Sequence, residues 1–208
     1  TMPKTAISLY FFFAGLIFSS WASRIPDVKD IFSLNEAELG AVLFMLPLGA
    51  LLALPVAGWV VQRLGSKLAS VSSILLYTVL LFLISKAQSV FSISIVLFLF
   101  GVIGNFANIA MNTQGLSIQH MLGKPILSGL HAMWSLGAFL AAAITGWTMS
   151  LGYSMEIHFG MIAIAAAVAA LFFFFSLIKD AAADHPQKVF ALPNRGLLLM
   201  GIICFCVA

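Results

Sequence analysis

Six long apolar runs organise the sequence, each parted from the next by a short cluster of charged, glycine or proline positions. They cover roughly 5–23, 38–61, 68–85, 90–114, 128–150 and 157–178. A helix rises about 1.5 Å per residue, so runs of this length cross a hydrocarbon core of about 30 Å. Strands of a membrane barrel would read as alternating segments of about ten residues, a pattern this sequence does not have. The prediction is an all-α membrane protein whose neighbouring spans, joined by short turns, run antiparallel.

The breaks carry their own signals. After the first run, Arg24 to Asp30 and Asn35 to Glu38 hold a proline and several acids, which predicts an aqueous loop. Asn35 and Glu38 have the spacing of a capping box opening the second helix. Gln62 to Lys67 reads as a tight basic turn. Residues 179–195, with Asp180, Asp184, His185, Pro186 and Pro193, predict a polar linker. Residues 196–208 then read as the truncated start of a seventh span, short of the roughly 20 residues a crossing needs. The expected organisation is a six-helix transmembrane bundle over 1–178, the linker, and that seventh start.

Composition supports lipid as the main solvent. Of the 208 residues, 62% are apolar and 8% charged, against roughly a quarter charged in soluble domains. A net charge of +3 invites a nucleic-acid reading, but the basic residues are scattered singly and form no patch for a phosphate backbone. Lys4 before an apolar run resembles a signal peptide, yet the run to Ser23 exceeds the usual core of about 7–15 residues; an uncleaved first span is expected. Cys204 and Cys206 form neither a disulfide framework nor a zinc pattern, and no metal ligand set or cofactor motif is expected.

Basic residues orient the chain. With the N-terminus in the cytoplasm, Lys4, Arg63, Lys67, Lys124, Lys179, Lys188 and Arg195 lie inside, seven of the 10 Lys and Arg. Six spans, a cytoplasmic linker and a seventh start suggest two joined six-helix halves, an arrangement in which each half nests two inverted three-helix repeats.

The sharpest local signal is Gly58-Trp-Val-Val-Gln62-Arg63-Leu-Gly65-Ser-Lys67 between the second and third runs. It resembles the loop of the major facilitator superfamily, in which Gly, three residues, Asp-Arg, one residue, Gly and two basic positions follow in order. Gly58, Arg63, Gly65 and Lys67 fit. Gln62 stands where the family usually has an acid, and Ser66 where an Arg is frequent. Arg24-Ile-Pro26, Ala37-Glu-Leu-Gly40, Leu46-Pro-Leu-Gly-Ala50 and Gly123 to His131 are similar to a bacterial inner-membrane group of that superfamily, the YbjJ-like proteins. The resemblance implies alternating-access transport, a C-terminal six-helix half outside this sequence, and a role for the loop in latching the two halves. The exchange of the acid for Gln62 weakens the expected latch.

Within the spans, Gly49, Ala53 and Ala57 repeat at four-residue spacing, which allows close helix approach in lipid. They serve either sliding against the other half or static packing within this one. Asn105, Asn108 and Asn112 fall on one face of the fourth span, within about 60° at about 100° per residue. Amides in hydrocarbon need partners; these either line a wet cavity or pair with neighbouring helices. The resemblance, which places the first and fourth spans along a central cavity, favours binding of a small polar solute. His131, Trp134 and Ser135 share a face of the fifth span. Trp134 either stacks on a ring-shaped solute or anchors at the interface. His131 is either structural or the type of group a proton relay uses. Gln114 points away from the asparagines. Arg24 either snorkels to the outer water or acts in gating. No acid falls in the middle of a span.

Two other function classes stand beside transport. A membrane sensor or scaffold would tolerate Gln62. An intramembrane enzyme would need a nucleophile and base, but Ser128 and His131 sit too close in sequence for the serine-protease layout, and the metalloprotease helix pattern is absent.

Overall fold

The structure is a computed structural model that describes residues 2–179. The expected linker beyond residue 179 and the seventh span lie outside the described residues. Those residues form seven helices: α1 Met2–Ala22, α2 Ile25–Ile31, α3 Glu36–Leu64, α4 Ser66–Ile84, α5 Val90–Leu122, α6 Leu127–Ser150 and α7 Met155–Phe173. A 3₁₀ turn, Phe174–Ser176, closes α7. Six of these segments are long and apolar enough to cross a membrane, as the hydrophobic runs predict.

Two boundaries differ for physical reasons. The supposed aqueous loop after the first span contains α2. Pro26 occupies its first turn, where a missing N–H costs nothing, and Val28 is fully buried. The fourth span does not end near residue 114 but continues to Leu122, because Ile118 extends the buried face past the polar residues. Gly123, in the left-handed region at φ 60°, ends it. The capping box at α3 forms as expected: Glu38 N donates to Asn35 Oδ1 and Asn35 N to Glu38 Oε2, both at 2.9 Å.

Two glycine crossings set the packing. A Cβ on Gly15 would lie 2.1 Å from the Trp134 carbonyl oxygen, and one on Gly137 would lie 2.0 Å from that of Phe12. Only glycine lets the α1 and α6 backbones meet this closely. The same geometry joins α3 and α5, with Gly49 against the Phe98 carbonyl and Gly101 against that of Leu46, each at 2.0 Å. In all four cases the carbonyl belongs to the residue three before the partner glycine.

The second crossing therefore repeats the first with the spans exchanged: one for four, and five for two. The buried stripe of α3 (Val42, Gly49, Ala53, Ala57) returns in α6 as Leu130, Gly137, Ala141 and Thr145, each 88 positions later. This is the inverted three-helix repeat made visible in side-chain burial. It also decides the Gly49, Ala53 and Ala57 stripe, which is buried inside this bundle, where α3 packs on α5. Static packing is its role here. α4 and α7 pack behind these pairs, with the Tyr10 hydroxyl donating to the Ala170 carbonyl at 2.6 Å.

Candidate solute site

A cavity of about 490 Å³ opens beside the two crossings, walled by α1, α3, α4, α5 and α6. Its volume lies within the range of small-molecule sites, about 300–1,000 Å³. Rings dominate the wall: Phe11, Phe18, Tyr77, Phe100, His131 and Trp134. Tyr77 stacks on Phe100 at 4.1 Å, and the His131 ring meets Phe11 edge-on at 5.4 Å. Trp134 lies 6.0 Å from Phe18, tilted by 39°. Gly101 and Gly104 on α5 keep the wall thin; a Cβ on Gly104 would press within 3.1 Å of the Tyr77 hydroxyl.

The amides come from α5. Asn105 reaches across the crossing to α3, its Nδ2 donating to the Ala50 carbonyl at 2.5 Å. Asn112 does not line the cavity; its Nδ2 donates to Asn108 Oδ1 at 2.5 Å and to the Asn108 carbonyl at 2.9 Å. Of the three asparagines, Asn105 and Asn108 form wall, and Asn112 orients Asn108. His131 and Trp134 also form wall, whereas Ser135 is exposed and outside it. Among the described residues, no Lys, Arg, Asp or Glu lines the cavity.

The remaining expected residues sit at the two ends of the bundle. Gly65, at φ 78°, is the single residue between α3 and α4, a turn that side chains disfavour. Gly58 faces open space, so its small size is not demanded within this chain. Arg63 lies over the Trp59 ring at 4.5 Å, and Gln62 precedes it in the last turn of α3. Lys67 donates to the Leu177 carbonyl at 3.0 Å and lies 4.6 Å from the Phe174 ring. A cation here complements the carbonyls that end α7.

Two residues have partners that the sequence reading does not foresee. Gln114 does face away from the asparagines, but it is completely buried, donating to Ser66 Oγ at 2.8 Å and to the Ile178 carbonyl at 2.7 Å. Its partners lie on α4 and beyond α7, so only tertiary contact reveals them. At the opposite end Arg24 does not snorkel. It is 4% exposed, held by Asp27 Oδ2 at 2.6 Å, the Tyr153 carbonyl at 3.2 Å and His158 Nδ1 at 3.4 Å. Donation to Nδ1 makes that nitrogen the acceptor and assigns the His158 proton to Nε2. Lys86 and Glu156 pair nearby at 2.6 Å.

Six membrane-length helices with an internal inverted repeat thus enclose an aromatic cavity with two amides in its wall. Residues 7–207 match the Major Facilitator Superfamily, and the chain belongs to that family. It is 29% identical to the uncharacterized transporter y4wD of Sinorhizobium fredii, over 97% of this chain and 54% of that protein. It is 31% identical to the membrane protein MosC of Rhizobium meliloti, over 97% of this chain and 49% of MosC. An uncharacterized MFS-type transporter of Yersinia pestis is 26% identical over 97% and 53% of the two chains. The chain thus spans about half the length of the curated relatives it matches. The crystal structure of the nucleoside transporter NupG shares the fold, with a TM-score of 0.73 at 17% identity, over 98% of this chain and 49% of that one.

Proposed function

We propose that this chain forms the N-terminal half of an alternating-access carrier that moves a small polar solute across a bacterial inner membrane. Its N-terminus and the Gly65 turn lie in the cytoplasm, where seven of the 10 basic residues then fall. A C-terminal six-helix half completes the cavity, and rocking of the two halves exposes it to each side in turn. The linker after residue 179 joins the halves, and the α3–α4 turn with Gly58, Gln62, Arg63, Gly65 and Lys67 acts at their cytoplasmic seam.

One observation carries this reading: the bundle holds an open cavity whose polar wall includes Asn105 and Asn108, both on a helix otherwise apolar along that stretch. Amides in hydrocarbon are costly unless something polar meets them. His131 is the imidazole in the wall and the residue through which this half would couple proton movement; Arg24 acts as an outer gate post. Solute-loaded proteoliposomes bearing the full-length carrier test the proposal. Exchange of external label against a loaded solute supports carrier function. Absence of exchange for sugars, nucleosides, amino acids and organic acids alike refutes it.

A further inference from the structure

We infer that the solute is an uncharged flat ring carrying a hydrogen-bond donor beside an acceptor, the edge presented by cyclic amides such as uracil. This rests on the carrier reading and specifies what the cavity takes.

The amide orientations are fixed by their partners. Asn105 spends one Nδ2 hydrogen on the Ala50 carbonyl, which fixes the sense of the amide and leaves its second hydrogen and its Oδ1, an acceptor with no hydrogen-bond partner among the described residues. Asn108 receives Asn112 Nδ2 at its Oδ1, which leaves its own Nδ2 as the donor. The two residues are three apart on α5, on one face and about 4.5 Å apart along the axis. A solute edge with an N–H next to a C=O satisfies both at once.

The rest of the wall selects what carries that edge. Phe18 and Trp134, both partly exposed, offer ring faces for stacking. Among the described residues no Lys, Arg, Asp or Glu side chain lines the cavity, and an ion placed among these rings meets no fixed counter-charge from them. A polyol presents hydroxyls all round its ring, each of which loses free energy if left unpaired; two amides, the His131 imidazole and the Tyr77 hydroxyl, set among aromatic faces, are too few to pair them all. A flat ring with one polar edge matches the distribution.

The test is counterflow by the full-length carrier in proteoliposomes, with uracil, its riboside uridine, myo-inositol, glucose, alanine and benzoate as labelled probes. The expected result is counterflow of uracil or uridine, the pair separating a free ring from its glycoside. N,N′-dimethyluracil, which keeps the ring and carbonyls but lacks the donors, competes at least about tenfold more weakly, the loss of a hydrogen bond with its acceptor left unpaired. Asn108→Asp, which turns the donor into an acceptor, weakens uracil by a similar factor. Equal competition by the dimethyl ring overturns the inference without any variant. Counterflow of inositol, glucose, alanine or benzoate with none of the cyclic amides overturns it while leaving the carrier reading intact. No counterflow of any probe overturns both.

Discussion

Gly15 and Gly137 face each other across the α1–α6 crossing, each lying against the carbonyl oxygen three residues before the other. Gly49 and Gly101 repeat this relation between α3 and α5. Because the two crossings flank the cavity, the four glycines set the distance between its walls.

Substitution at these glycines is expected to separate helices. A methyl 2.0 Å from a backbone oxygen cannot be absorbed by a side-chain rotation. Gly137→Ala and Gly101→Ala should each destabilise by about 1–3 kcal/mol, as overpacking does, seen as a lowered melting temperature in detergent. Gly146→Ala, which meets nothing within 4 Å, should melt like the parent. A melting temperature unchanged in Gly137→Ala contradicts the crossing.

Gln114 and Lys67 hold the end of α7 from two sides, through the carbonyls of Ile178 and Leu177. Gln114→Leu removes a buried donor from two acceptors and should cost about 1–3 kcal/mol. Lys67→Met should cost less, since it loses one bond and a partial cation–ring contact. Sharing one helix end, the two losses should couple by at least about 0.5 kcal/mol in a double-mutant cycle. Strict additivity in thermal melts argues against a shared clamp.

Arg24 binds three groups that one ammonium cannot match. Arg24→Lys keeps the charge but loses the forked geometry, so it should rescue little of the loss caused by Arg24→Ala. That loss is expected at about 2–3 kcal/mol, because the guanidinium is buried with hydrogen-bonded partners on α2, on α7 and in the turn before α7. Thermal unfolding of the three proteins side by side checks the order. A snorkelling arginine would give three nearly equal curves.

Much of this was legible before any coordinates. Apolar runs fixed six spans because hydrophobic length is a one-dimensional property, and the Asn35–Glu38 cap was readable because its partners are three residues apart. The asparagine face was visible for the same reason of helical spacing. What escaped depends on distant partners. Arg24 looks like a surface cation until Tyr153 and His158 fold over it. Gln114 looks like a polar helix end until Ser66 and the Ile178 carbonyl arrive. Asn112 and Ser135 share faces with cavity residues, yet one is turned back onto its own helix and the other lies outside the wall. Face membership resolves direction around a helix and says nothing of depth along it.

The account depends on water reaching Asn108. In the full-length protein with Cys204 and Cys206 replaced by Ala, an Asn108→Cys variant in sealed vesicles should react with a membrane-impermeant thiol reagent. A transportable solute should slow that reaction. A Phe139→Cys control on the exposed apolar face of α6 should react far more slowly than Asn108→Cys. Reaction at position 108 that solute protects supports a vestibule between two moving halves; a thiol there that stays inert from both sides of the membrane, with and without solute, contradicts it.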